Sequence, residues 1–172
     1  MPNANETFLE KCIFSLRLPR EPAAGDEIAL KLTMKENAKR FSLNLCLARS
    51  DDECHPQTEP EQIAYHLGWK FPDADGDDDG KRCEMIQCSK NCTWNEPLVV
   101  GDDWIGSQQV TVIVRFHTEM MKVFIEDTQH PPDYEYEHQF PIEEIRSFEL
   151  WDDVERVEEL TLRFGGGYKN GH

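Results

Sequence analysis

The stretch Ile63-Ala64-Tyr65-His66-Leu67-Gly68-Trp69-Lys70-Phe71 alternates with a period of two. Tyr65, Leu67, Trp69 and Phe71 fall on one side of an extended chain, and His66, Gly68 and Lys70 on the other. The first set is large and apolar and belongs in a core. The second puts an imidazole and an ammonium in one row on the outer face. Trp94 follows in Cys92-Thr93-Trp94-Asn95-Glu96-Pro97, a turn-like stretch that suits an exposed indole. Polar groups in a row beside one flat aromatic wall suit a sugar. Its hydroxyls need hydrogen-bonding partners, which imidazole and ammonium groups supply. Its C–H faces pack on an indole ring.

Outward from this strand the same period recurs. Ile28, Leu30 and Leu32 alternate with Ala29, Lys31 and Thr33, and Phe41, Leu43, Leu45 and Leu47 with Ser42, Asn44, Cys46 and Ala48. Val110 to Phe116 and Met121 to Ile125 form two further sets around a turn at His117 to Glu119. Phe148 and Leu150, then Leu160, Leu162 and Phe164, complete the series. Many short strands with no long amphipathic helix predict an all-β fold, an antiparallel two-sheet sandwich or a barrel. Ile142 to Ile145, after Pro141, predicts a single helical turn. Two polar inserts, 49–62 and 72–82, read as connections between strands.

The 172 residues are enough for one domain with a substantial core. Lys and Arg number 18 against 34 Asp and Glu, a net charge of −16 that repels phosphate backbones and anionic lipid. No nucleic-acid partner is expected. No membrane insertion is expected either, since no run approaches the ~20 apolar residues of a span. The first residues lack the basic start and apolar run of a secretory signal. The expected location is cytoplasmic, or outside the cell by a route without a signal peptide. Gly165-Gly166-Gly167 reads as a linker, which leaves open a longer parent chain.

Of the six cysteines, Cys12 and Cys46 lie among apolar residues and read as reduced core thiols. Cys83, Cys88 and Cys92 lack the paired spacing of a structural zinc site. The aspartates at 73, 75, 77, 78 and 79 meet the ligand rules of a calcium loop in no register, so no metal is expected. Nothing arranges a nucleophile, base or carboxylate pair, so the chain reads as a non-enzyme with no cofactor. The sequons at Asn5 and Asn91 read as unused without a signal peptide.

Taken in order, these segments resemble the galectin family from about Phe14 to Phe164. Leu18-Pro19 and Gly25-Asp26-Glu27-Ile28 resemble its opening strands, and Ala38 to Leu45 its third. Ile63 to Phe71 resembles its I-A-x-H-F-N-P-R-F run, with Trp94 in the place of its stacking tryptophan. His117 to Ile125 and Ile145 to Val154 resemble its late strands. The resemblance implies a two-sheet sandwich that binds β-galactosides on a concave face without metal. It assigns the histidine role to His66, the arginine role to Lys70, an amide role to Gln87, stacking to Trp94, and a groove-edge role to Arg40. Glu96, one residue early against the family's glutamate, is expected to orient Lys70. Gly68 replaces the family's asparagine, and Lys70 lacks the planar fork of arginine.

The expected layout is an extension over 1–12, the sandwich over 13–165 and a tail over 166–172. The expected function is recognition of a β-galactoside-containing or related glycan with altered preference. Two alternatives stand beside it. One is a protein-interaction module on the same fold with the sugar site degraded, or a homodimer. The other is a calcium-assisted lectin using the 73–79 loop.

Overall fold

The computed structural model describes residues 9–49, 58–72, 83–102 and 108–165. The acidic 73–79 run, most of the 49–62 insert, Cys54, Asn5 and the tail from 166 lie outside the described residues. The strands are β1 (Cys12–Arg17), β2 (Glu27–Met34), β3 (Arg40–Cys46), β4 (Gln62–Lys70), β5 (Cys83–Asn91) and β6 (Thr93–Trp94). They continue with β7 (Leu98–Asp102), β8 (Gln109–Phe116), β9 (Met120–Ile125), β10 (Tyr134–Glu137), β11 (Ser147–Asp152) and β12 (Val154–Arg163). The expected helical turn is a single 3-10 turn at Ile142–Glu144. The alternating segments of the sequence are thus strands, and five that alternate less clearly, β1, β5, β6, β7 and β10, join them.

All the pairings are antiparallel and make two sheets. One runs β1-β11-β3-β4-β5-β6, with β7 also paired to β5; the other runs β10-β9-β8-β2-β12. The chain is therefore a two-sheet antiparallel β-sandwich. The core fills the space between the sheets with Leu30, Leu32, Leu43, Leu45, Tyr65, Leu67, Trp69, Val112, Val114, Phe116, Val123, Phe148 and Leu150. Phe41 stacks on Trp69 with ring centres 4.8 Å apart and nearly parallel planes. Burial of such rings is the main source of stability here.

Strand β5 reverses the usual rule for a half-buried strand. Cys83, Met85, Gln87 and Ser89 point inward, while Ile86 and Cys88 point outward on the face that carries His66. The inward amide and hydroxyl are satisfied. The Tyr65 hydroxyl donates to Gln87 Oε1. Gln87 Nε2 donates to the Glu135 carbonyl at 3.1 Å, and Tyr136 donates to Ser89 at 3.1 Å. These bonds tie β4 and β5 of one sheet to β10 of the other, so buried polar atoms are not left unpaired.

The outer face of the first sheet has an apolar cluster of its own. Leu9, Cys46, Ile63 and Trp151 are buried together, with Cys12 and Trp94 packed against them. Cys12 and Cys46 are free thiols, as are Cys83, Cys88 and Cys92. Cys12 and Cys46 belong to this outer cluster and not to the core between the sheets. Burial pushes the Cys12 thiol up to about 12 and raises that of Cys46 as well, so both stay protonated.

Candidate functional site

Pairing of β3, β4 and β5 sets three cross-strand rows on the outer face. Arg40, Lys70 and Glu84 share the first; Ser42, Gly68 and Ile86 the second; Asn44, His66 and Cys88 the third. Each row is held by the backbone ladder, so the side chains stand at fixed spacing. Trp94 lies one strand further along, opposite Lys90. A groove of about 250 Å³ opens over the first two rows, lined by Arg40, Ser42, His66, Gly68, Lys70, Glu84, Ile86 and Asp152, among others.

Each expected site residue has a definite place. Lys70 is exposed at the groove, between Arg40 and Glu84. Arg40 lines the groove and is already engaged: its guanidinium contacts Glu10 at 2.9 Å and Asp152 at 3.5 Å. Asp152 also accepts the backbone N–H groups of Glu10 and Lys11 at 3.0 Å each. It holds a left-handed backbone (φ 78°) in the turn from β11 to β12, a conformation that aspartate tolerates better than most residues. Burial raises its carboxyl above the ordinary value, against the lowering effect of these donors and Arg40.

His66 lies on the outer face as expected, but it is only 2% exposed. Its Nδ1 lies 2.7 Å from Asn44 Oδ1, which fixes the ring. Its ring meets Trp94 edge-on, with centres 5.0 Å apart and planes at 71°. Burial, and then the Arg40 charge, pull the imidazole down to about 3, so it is neutral at ordinary pH. The Asn44 contact makes Nδ1 the protonated nitrogen, donating to the amide oxygen.

Trp94 is half-buried, between the exposed wall and the core position that a lone tryptophan can take. It packs on the outer cluster, touches His66, and has the Lys90 ammonium 5.4 Å from its ring centre. It does not line the groove; His66 stands between. Two expectations need correction. Gln87 does not join the row: it faces inward, 4% exposed, bonded to Tyr65 and Glu135. Counting seven residues back from Trp94 lands on the wrong side of β5. Glu96 is exposed on the connection between β6 and β7, and the carboxylate beside Lys70 in register is Glu84.

Sequence reasoning missed Ser42, Glu84, Ile86 and Asp152 as groove residues, and Asn44 as the partner that fixes His66. Ser42 and Asn44 had a signal, since they alternate with the core leucines of β3. Pairing that strand with 63–71 puts them beside Gly68 and His66. Altogether the groove carries two cations, two carboxylates, a hydroxyl and an apolar wall. Its charge is balanced, and its donors and acceptors are mixed. Such a set suits an uncharged, hydroxyl-rich molecule better than a strongly anionic one. Among the described residues, no three His, Cys, Asp or Glu side chains gather in a metal-binding group.

A two-sheet sandwich with a polar groove on the outer face of its larger sheet has the architecture of a lectin domain. The sequence matches the family model described as galactoside-binding lectin over residues 13–161, and the chain belongs to that family. Solved structures agree on the fold. It is similar to galectin LEC-6 of Caenorhabditis elegans, with TM-score 0.65 and 15% identity, covering 94% of this chain and 98% of that one. It is similar to sheep galectin-11, in complex with glycerol, with TM-score 0.64, 8% identity, and coverage of 87% and 96%. A variant of human galectin-16 gives TM-score 0.61, 14% identity, and coverage of 88% and 95%. Among curated proteins, none matches the sequence.

Proposed function

We propose that this chain is a lectin domain that binds a β-galactoside-containing or related glycan in the groove over β3, β4 and β5, with preference altered from the family's usual one. The observation that carries this reading is the groove itself. It sets Lys70, Arg40, Glu84 and Ser42 around one open space on the face that holds His66. In this reading Lys70 donates to ligand hydroxyls, Glu84 and Ser42 accept or share them, and Arg40 closes the edge. His66 forms part of the groove wall beside them. Charge-assisted hydrogen bonds of this kind contribute about 1.5–3 kcal/mol each.

The test is a glycan array probed with the native chain, Lys70→Ala and Ser42→Ala. The expected result is a native signal that both variants reduce. Equal signals from all three would remove the groove from the function.

A second reading has its own observation. Leu98, Val99 and Val100 of β7 are 53%, 53% and 49% exposed. Three consecutive exposed apolar residues on a peripheral strand suit docking of another chain. A blank glycan array, with a partner lost on Val99→Lys, favours this reading over the first.

A further inference from the structure

His66 and Gly68 are two residues apart on the same face of β4, and the structure couples them closely. A Cβ built on Gly68 would lie 2.8 Å from His66 Nε2 and 3.4 Å from its Cε1. Such a contact is too short for any real side chain, so one of the two groups would have to move. The imidazole therefore lies along the sheet in the space that Gly68 leaves empty. Three things hold it there: the Asn44 contact at 2.7 Å, the Trp94 ring at 5.0 Å, and near-complete burial. The seated ring lines the groove on one side and meets the indole on the other. It is a partition between the two.

We propose that Gly68 is the specificity-determining residue of this site: it seats the His66 imidazole as a partition that shuts the groove off from Trp94, so that the groove grips a hydroxyl-rich glycan unit through Arg40, Ser42, Lys70 and Glu84 without stacking on the indole. The inference rests on the lectin reading above and deepens it. A sugar stacked on Trp94 and bonded in the groove at once would have to cross the imidazole. A ligand confined to the groove side meets paired charges, one hydroxyl and the apolar side chain of Ile86.

The test uses Gly68→Ala, which adds one methyl group at the contact. The first readout needs no sugar. The charge that acts on the ring is Arg40 from β3; Lys70, Glu84 and Asp152 share the groove lining with it. Cys88 from β5 and, beyond Asn44, Glu149 from β11 stand in the ring's cross-strand row, and all of these groups are kept in the variant. In the native chain the His66 ring resonances stay constant from pH 5 to 8. In the variant the ring leaves its seat, so its titration midpoint rises by more than about two pH units toward the ordinary histidine value. The Trp94 indole N–H resonance shifts with it. The second readout is a glycan array of both chains, with lactose titrated against the indole resonance. The native chain binds without perturbing the indole, and the variant gains glycans whose binding does perturb it. His66→Ala removes the partition without adding an atom and should give the same gain, should Gly68→Ala fail to fold.

An unchanged His66 titration in Gly68→Ala overturns the proposal. So does one glycan pattern, or a blank array, shared by the native chain and both variants. A blank native array with signal from a variant supports the role of Gly68 while counting against the native chain as a glycan binder.

Discussion

The two ends of one sheet face behave in opposite ways. At the Trp94 end, Leu9, Cys46, Ile63 and Trp151 fill the face, and His66 closes it. At the Lys70 end, charged and polar side chains surround open space. The pairing is antiparallel at both, with register shifts at the Trp94 end. What differs is the size and polarity of the outward residues on β3, β4, β5 and β11, and what residues 9–11 bring to each end: Leu9 joins the filled cluster, while Glu10 and Lys11 hold Arg40 and Asp152 at the groove. A fold can thus keep its sheet and move the accessible part of its face by substitutions that leave the core alone.

The sharpest way to break the comparison is Trp151→Ala. The indole is 1% exposed, and its N–H donates to Glu149 at 2.8 Å. Its loss should cost about 3–5 kcal/mol in urea unfolding. If the cost is near zero, the filled end is not a packed cluster. Acid comes next. The folded chain holds His66 near 3 against an unfolded value near 6.5, so its neutral form favours folding. That contribution is complete above about pH 6.5 and is lost as pH falls toward 3, at about 1.4 kcal/mol per pH unit. Stability of His66→Phe should fall less steeply than native between pH 6.5 and 5, where few carboxylates titrate.

Tyr65→Phe probes the opposite side of the same strands. It leaves Gln87 Oε1 without the hydroxyl that it accepts from, at an expected cost of about 1–3 kcal/mol by denaturant unfolding. A neutral result would mean that the inward amide is satisfied in another way. The smallest effect on stability belongs to the open end. Lys70→Ala should change unfolding by less than about 0.5 kcal/mol. Yet it should weaken glycan binding by roughly tenfold, about 1.4 kcal/mol, in a direct binding titration. Equal stability costs at Lys70 and Trp151 would erase the distinction between the two ends.

The sandwich was legible because its inward positions are apolar at period two in β2, β3, β4, β8 and β9. The placing of His66, Lys70 and Arg40 on one face followed from the same period. Strand β5 was not legible, for a physical reason. Its inward Gln87 and Ser89 are polar and its outward Ile86 and Cys88 are apolar, so hydropathy reports the wrong face. Only the partners Tyr65, Tyr136 and Glu135, on other strands, make the inward amide and hydroxyl stable. The half-burial of Trp94 was equally hidden. It depends on the outer cluster, which joins residues from Leu9 to Trp151. The register shift in β4 between Ile63 and His66, which turns Ile63 outward, also leaves no mark in a two-residue period.

Residues 9–11 bear on anyone who wants to produce a shorter protein. The family match begins at residue 13, and a cut there would look harmless. It would strip Leu9 from Trp151, remove both backbone donors from Asp152 and release Arg40 from Glu10. The trimmed chain would present a sticky indole and a guanidinium that has lost one of its two carboxylates. Its ligand preferences would then describe the cut, so screening should begin from a chain that keeps Leu9.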